Sequence, residues 1–312
     1  MGVGDWGINH VKTLFSLKIE VGCIDRSQLK LDQVKSLFPQ VSCFSTIDES
    51  LSCDYDGYIV ATPPSSHKEI AKLIMSYSKP VLVEKPLCLS TKDAQSIKSQ
   101  IAKYDGKLMV GHLMLFHPAI IKIKEIIDAG EIGSIQYIYS NRLNLGKVRK
   151  EENVFWSFAP HDISLFQYFS NSFPFKITSQ GGIFLQNKIH DTTITYLKYP
   201  NGIQGHIYVS WLHPFKEHRL VIIGSKGTVH FEDSLDGKPL LLYEKDSHNS
   251  ENNIDLKNKT PKIISYEKIT PLENEIKHFV KIINGANSNF SGIEKGMDVV
   301  KILEMASNSL KG

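Results

Sequence analysis

The chain is short of several things, and each shortage narrows what it can be. No apolar run approaches membrane-spanning length and no signal-peptide core opens the sequence, so nothing supports a membrane-inserted or exported protein. The 36 Lys and Arg against 33 Asp and Glu leave a formal charge of only +3, with the basic residues scattered. A nucleic-acid binder needs a concentrated basic stripe, and none is present. Four cysteines (Cys23, Cys43, Cys53, Cys88) lie far apart with no C-x-x-C pair. Three of them fall in or beside strand-like runs, which points to buried reduced thiols and a cytoplasmic location. Neither His112 nor His117 is spaced for a metal with a Cys or Glu partner, so no metal site is expected. No internal repeat is present.

What is there is ordinary globular material: 312 residues, 41% hydrophobic and 22% charged, enough for two domains with separate cores. The first third alternates helical and strand periodicity. Helices are expected over 6–17, 27–38, 64–77 and 91–104, with strands over 19–25, 41–44, 57–62, 81–85 and 107–113. That rhythm predicts right-handed βαβ units and a doubly wound parallel sheet of Rossmann type. From about Gly133 it gives way to strand-like runs over 134–143, 177–185, 191–199, 203–211, 219–224 and 227–231. Pro200-Asn201-Gly202 and Ser225-Lys226-Gly227 read as hairpin turns that accept positive φ. An α+β domain with a large, mainly antiparallel open sheet and few helices follows. Residues 247–261 read as a polar surface loop, and amphipathic helices over 272–283 and 292–310 end the chain. The expected domains are 1–116, which binds a dinucleotide, and 117–312, which binds substrate and mediates oligomerisation, with His117-Pro118 as the hinge.

Two motifs carry chemistry. Gly2-Val3-Gly4-Asp5-Trp6-Gly7 fits G-x-G-x-x-G, is followed at once by a helix, and precedes Asp25 at the end of the next strand. The first two glycines let pyrophosphate approach backbone N–H groups, and the third allows close helix–strand packing. Asp25 can accept hydrogen bonds from both adenosine-ribose hydroxyls and repels a 2′-phosphate, favouring NAD over NADP; Arg26 beside it can stack on adenine or attract that phosphate. The second motif is Glu84-Lys85-Pro86, closing an apolar strand. Ligands of open parallel sheets bind beyond the carboxyl ends of the strands, which places Lys85 in the cofactor crevice. Taken alone, the tripeptide is better explained as a surface Glu-Lys before a turn proline; the rest of the chain overturns that reading.

Together with Ile59-Val60-Ala61-Thr62-Pro63-Pro64-Ser65-Ser66-His67 and Ala159-Pro160-His161-Asp162, these motifs resemble the glucose–fructose oxidoreductase/inositol dehydrogenase (Gfo/Idh/MocA) family of NAD(P)-dependent sugar and polyol dehydrogenases. The resemblance runs over essentially the whole chain. It implies a cofactor site of Gly2, Gly4, Asp5, Trp6, Gly7, Asp25, Arg26, Thr62, Pro63, His67, Glu84 and Lys85. It further implies a catalytic pair, Lys85 and His161, with either residue able to serve as the base and the other to hold the reacting oxygen. The family's aspartate four residues before the histidine is Ser157 here, which puts an aspartate role in substrate binding in doubt. For a histidine before a helix, as for Asp162 in a helix's first turn, a capping or core role is the plain alternative.

Residues 141–162 look like the branch that oxidises C3 of UDP-N-acetylglucosamine, or of its uronic acid, to a 3-keto sugar for amination. Arg142, Asn144, Arg149, Ser157 and Asp162 are the implied substrate contacts, the arginine forks suiting the two phosphates. Trp211 and His213 are interface or substrate residues on this reading. A homodimer or homotetramer through the second sheet is expected. Other sugar or polyol dehydrogenases, an NAD-dependent glycosidase and a non-catalytic dinucleotide sensor are the competing readings; retention of both Lys85 and His161 speaks against the sensor. One feature departs from the pattern, since only Met1 precedes Gly2 where the fingerprint normally follows a strand. A chain beginning at Met1 is therefore expected to bind NAD weakly and to be poorly soluble. Extending it with the upstream codons should raise both NAD affinity and melting temperature; no gain in either would contradict this.

Overall fold

The computed structural model describes residues 1–145, 148–150, 152–245, 260–286 and 290–310. They form two compact units, Met1–Phe116 with Ile269–Lys301, and His117–Lys268 with Ile302–Gly312. The first unit opens with α1 (Gly7–Ser16), β1 (Gly22–Ile24), α2 (Gln28–Leu37), β2 (Ser42–Phe44), α3 (Ile47–Leu51) and β3 (Tyr58–Val60). A 3-10 turn at Pro64–Ser66 leads into α4 (His67–Ser76), then β4 (Val81–Glu84), α5 (Thr91–Tyr104) and β5 (Leu108–Gly111). Strands β4 and β5 are buried along their whole length, as parallel strands covered on both faces must be. The short α3 falls below the length at which apolar periodicity is readable; Thr46, whose side chain accepts the Glu49 N–H, starts it.

All pairings in this unit are parallel, but the strands form a pair, β1-β2, and a trio, β3-β4-β5, rather than one sheet. Residues 1–3 lie between the two groups. Gly2 N–H donates to Ile24 O at 2.8 Å on one side, and Ala61 N–H donates to Met1 O at 2.8 Å on the other. The Met1 amine also donates to Ile59 O at 2.5 Å, so residues 1–3 are tied by two hydrogen bonds to the β3 side and one to the β1 side without forming a strand of their own. A cavity of about 580 Å³ opens beside them, lined by Val11, Cys23, Tyr58, Ile59, Phe279 and Ile283 among others.

The second unit contains α6 (Pro118–Asp128), β6 (Ile135–Leu143), α7 (Val154–Ser170) and β7 (Lys176–Gly182). The strands β8 (Thr192–Lys198), β9 (Gln204–Ser210), β10 (Glu217–Gly224), β11 (Gly227–Glu232), β12 (Leu240–Glu244) and β13 (Lys262–Ile263) follow. They make one eight-stranded sheet in the order β13-β12-β11-β10-β6-β9-β8-β7. Every pairing is antiparallel except β6–β9, where the chain crosses over through α7 and the β7–β8 hairpin. The alternation in β6 and β9 buries Ile138, Ser140 and Arg142 with Gly205, Ile207 and Val209, on the face against which α7 packs. Phe155, Ile163 and Phe166 of α7 and Trp211 are fully enclosed.

The closing helices are α8 (Pro271–Ile283) and α9 (Ile293–Ser309). Residues 269–301 belong with the first unit, not with the expected 117–312 domain, because α8 packs on α1 and on Leu113–Phe116, and Val110 N–H donates to Ser291 O at 2.7 Å. Two further expectations are corrected. The second unit is richer in helix than its strand-like sequence suggested, since α7 is buried around much of its circumference and carries little amphipathic signal, and α6 lies ahead of the strand-like runs. The second unit begins at His117, which is also the N-cap of α6, its Nδ1 accepting from Ala119 N–H at 3.1 Å. Gly202 has φ +83° as the hairpin reading required, whereas Gly227 does not use positive φ. Most of the loop expected at 247–261 lies outside the described residues.

Helix α7 starts at Asn153, whose side-chain oxygen accepts the Trp156 N–H at 3.1 Å. Asn153→Ala should destabilise the protein by about 1 kcal/mol, read as a lowered denaturant midpoint at unchanged slope.

Candidate active site

The residues expected at the cofactor collect along one edge of the first unit. Parallel strands run in the same direction, so the turns after residues 1–3, β1, β3 and β4 all leave from the same side. Those turns carry the glycine loop, Asp25 and Arg26, Thr62 and Pro63, and Lys85. Gly2 has φ +80° and lies so close to Ala61 that a Cβ would meet its carbonyl at 2.9 Å. At Gly7 a Cβ would come within 1.8 Å of Gly2 O, so only glycine allows α1 to start against the loop. The Asp25 carboxylate clamps this turn, accepting Val3 N–H and Ser27 N–H at 2.9 Å each. Each oxygen retains a second lone pair for a ribose hydroxyl, so the residue fits both roles. Arg26 is exposed; Lys30 Nζ, 3.8 Å from Asp25, is the other cation near that carboxylate.

His67 is placed differently from the expected cofactor contact. It is 1% exposed, with Nδ1 2.9 Å from Pro86 O and Nε2 2.8 Å from Thr62 O. Both ring nitrogens face backbone carbonyls, and the one that carries the proton donates to its carbonyl, so the side chain is held between the turn after β3 and the turn after β4 instead of reaching out to a ligand. Burial pulls its pKa down, against the pull of those carbonyls. The peptide between Lys85 and Pro86 is cis.

Trp6 and Glu84 are also redirected. The Trp6 indole N–H donates to Glu84 Oε1 at 2.6 Å, and His10 Nε2 lies 2.7 Å from the same oxygen. Glu84 is 7% exposed. Burial acts to raise its pKa, but the His10 and Trp6 contacts and the Lys85 charge hold it below the ordinary carboxylate value. His112, which ends β5's turn on the same edge, is fully enclosed, and its pKa is lowered to about 4 by burial. Glu275 of α8 completes the surroundings: ligand atoms of His10, Glu84 and Glu275 lie within 4.8 Å of one another. No metal site was expected from sequence, and this trio has the donor types for one.

The second unit holds the remaining expected residues. His161 lies inside α7, not before a helix, and Asp162 is far from its first turn. Ser157 and His161 are therefore one turn apart on one helix face. Arg142 projects from the inner face of β6 towards α7, and its fork engages Asp162, Nε–Oδ2 at 2.8 Å and Nη2–Oδ1 at 3.2 Å. Both partners are buried, at 8% and 1% exposure. The bidentate pair corrects the expectation that Arg142 presents its fork to phosphate and that Asp162 serves the helix terminus. Asn144 follows β6, its N–H donating to Ser210 O at 3.1 Å, and Arg149 is exposed. Trp211 is a core residue and His213 is half-buried.

Sequence reasoning missed His10 and Glu275. The signal for Glu275 was present: it occupies the buried stripe Leu272, Glu275, Ile276, Phe279, Ile282 of α8, where an acid is out of place. Gly7→Ala should weaken NADH binding by about tenfold or more and lower the melting temperature, checked by fluorescence titration and calorimetry.

Residues 1–112 match the oxidoreductase family with an NAD-binding Rossmann fold, and residues 120–230 match the C-terminal domain of the same GFO/IDH/MocA family. Among curated relatives, scyllo-inositol 2-dehydrogenase (NAD(+)) of Bacillus subtilis is 26% identical over 186 residues, 56% of this chain and 54% of that protein. UDP-N-acetylglucosamine 3-dehydrogenase of Acidithiobacillus ferrooxidans is 24% identical over 213 residues, 67% of this chain and 65% of that one. The chain thus spans little more than half the length of the first curated relatives it matches, 55% and 54%. The solved structure of the Acidithiobacillus enzyme superimposes with a TM-score of 0.86 over 99% of this chain and 96% of that one, at 20% identity. In fold and in sequence, the chain belongs to the Gfo/Idh/MocA family of oxidoreductases with an NAD-binding Rossmann domain.

Proposed function

We propose that the chain catalyses NAD-dependent oxidation of a secondary alcohol on a sugar or polyol, with the C3 hydroxyl of a UDP-N-acetylamino sugar, UDP-N-acetylglucosamine first, as the substrate group. The observation that carries this is the position of Lys85 at the carboxyl end of β4, on the edge that also bears the glycine loop and Asp25. The residues fit the dinucleotide: Gly2 and Gly4 leave the pyrophosphate room beside the positive end of α1, and Asp25 suits an unphosphorylated ribose, which favours NAD over NADP. Bound NAD supplies the hydride acceptor. Lys85 holds the reacting oxygen with its ammonium group and stabilises negative charge as the hydroxyl proton leaves. His161 is the proposed proton acceptor, with Ser157 one turn away contacting the substrate; the two roles of Lys85 and His161 can be exchanged. Asn144 and Arg149 are the proposed contacts to the UDP moiety, with Arg142 and Asp162 shaping the wall behind them.

The closure of Arg142 on Asp162 removes one expected phosphate contact, and this favours a second reading in which the substrate is a free polyol, as for the inositol dehydrogenases among the relatives. UDP-N-acetylglucosaminuronate is the third member of the same panel. Self-association through the outer face of the sheet is also proposed, where Tyr137, Tyr139, Ile194 and His206 are incompletely covered and Tyr139 stacks on His206 at 5.2 Å. A cytoplasmic role in making amino sugars for surface glycans fits this chemistry.

Incubation with NAD and each of UDP-N-acetylglucosamine, its uronic acid and the inositols should give NADH and one keto product, resolved by absorbance and mass spectrometry. Lys85→Ala should lower kcat/KM by about 10²–10⁴ while NAD affinity stays within a few-fold. Turnover unchanged by this substitution would refute the catalytic assignment.

A further inference from the structure

Glu275 is 0% exposed on the apolar stripe of α8, and neither of its carboxylate oxygens has a hydrogen-bond partner among the described residues. An ionised carboxylate in that position has lost its water and received nothing in exchange. Its surroundings are themselves ionisable. Glu84 comes from the end of β4, His10 from α1, and His112 follows β5; Lys85 is chain-adjacent to Glu84, and His67 at the start of α4 also feels the Glu84 charge. Which of these carries charge follows from donor chemistry. Glu84 accepts the Trp6 indole N–H at Oε1, 2.6 Å, and the Lys85 backbone N–H at Oε2, 3.3 Å, and with His10 and the Lys85 charge beside it Glu84 is the member of the pair better placed to hold the negative charge. Two carboxylates this close in a buried site do not both ionise. Burial and the Glu84 charge drive the Glu275 carboxyl well above its usual range.

We propose that Glu275 carries a proton at neutral pH and donates it as a hydrogen bond to the Glu84 carboxylate, so that a single negative charge balances Lys85, and that Glu275 is thereby a positioning residue for Lys85. The proton stays on a Glu275 oxygen and no bond is broken. A divalent cation held by the trio is the competing occupant. The contacts of Glu84 Oε1 with Trp6 and His10 already use the lone pairs a metal would need there, which favours the proton. Only the task given to Lys85 rests on the dehydrogenase reading; the shared proton does not.

The test uses the full chain and needs no turnover. Infrared difference spectra at neutral pH between the wild type and Glu275→Gln should show one protonated-carboxyl stretch that the variant lacks. The stability difference should also depend on pH. The folded-state pKa of Glu275 is raised, so its contribution is complete below the unfolded value of about 4.3 and is lost as pH rises, because only the unfolded chain ionises. The melting temperature of Glu275→Gln should therefore gain on the wild type steadily from about pH 5 to pH 8. Glu275→Met, which cannot donate to Glu84, should change the rate of lysine-directed acylation at Lys85 about threefold or more, and Glu275→Gln should restore it. Should Glu275→Gln not fold, Glu275→Met serves the infrared and stability readings. The proposal is overturned by the absence of a protonated-carboxyl band, by a stability difference independent of pH, or by one equivalent of divalent cation that Glu275→Gln removes.

Discussion

The first unit turns on one buried carboxylate. Glu84 closes β4, and its Oε1 contacts the Trp6 indole at 2.6 Å and His10 at 2.7 Å, both from the glycine loop and the helix it opens. That contact joins sequence positions more than seventy residues apart and fixes α1 against the end of β4. The carboxylate also sets the charge beside Lys85. Removing it would take the acceptor from the Trp6 indole and from buried His10 and a negative charge from beside Lys85, so the residue matters to the loop, the helix and the candidate chemistry together.

The second unit uses the same device on a sheet. Arg142 from β6 meets Asp162 from α7 in a bidentate pair enclosed between helix and sheet. A single partner removed from such a pair leaves an uncompensated charge, so the pair constrains how α7 lies on β6 and β9 and hence how His161 and Ser157 are carried. In both units a charged residue read as a ligand contact is instead part of the frame that holds the candidate ligand contacts. Family motifs mark positions where chemistry is dense, without distinguishing the group that touches the ligand from the group behind it.

Local patterns made much of the fold legible. The alternation of α1, β1, α2 and β2, the full length of α5, and the strands β6 to β11 all follow from periodicity and turn residues. Elements whose pattern is masked by burial did not. Helix α7 is apolar on nearly every side, with Pro160 inside it, so nothing marked it as a helix and His161 read as a residue before one. The parallel β6–β9 pairing was equally hidden, because strand sequences carry no record of which distant strand they join.

The sequence by itself determined the family, a parallel sheet followed by a mainly antiparallel one, the glycine loop and the place of Lys85 at a strand's end, because each of these is written in contiguous residues and in short-range sterics. Gly7 had to be glycine for α1 to begin where it does, and that requirement is local. Tertiary structure alone decided which side chains answer one another. It turned His67 onto two carbonyls, Arg142 onto Asp162, and Trp6 and His10 onto Glu84, and it brought Glu275 from the far end of the chain into the same buried space. Burial sets the strength and sign of these interactions, since desolvation decides whether a carboxyl keeps its proton, and desolvation exists only once the chain has folded.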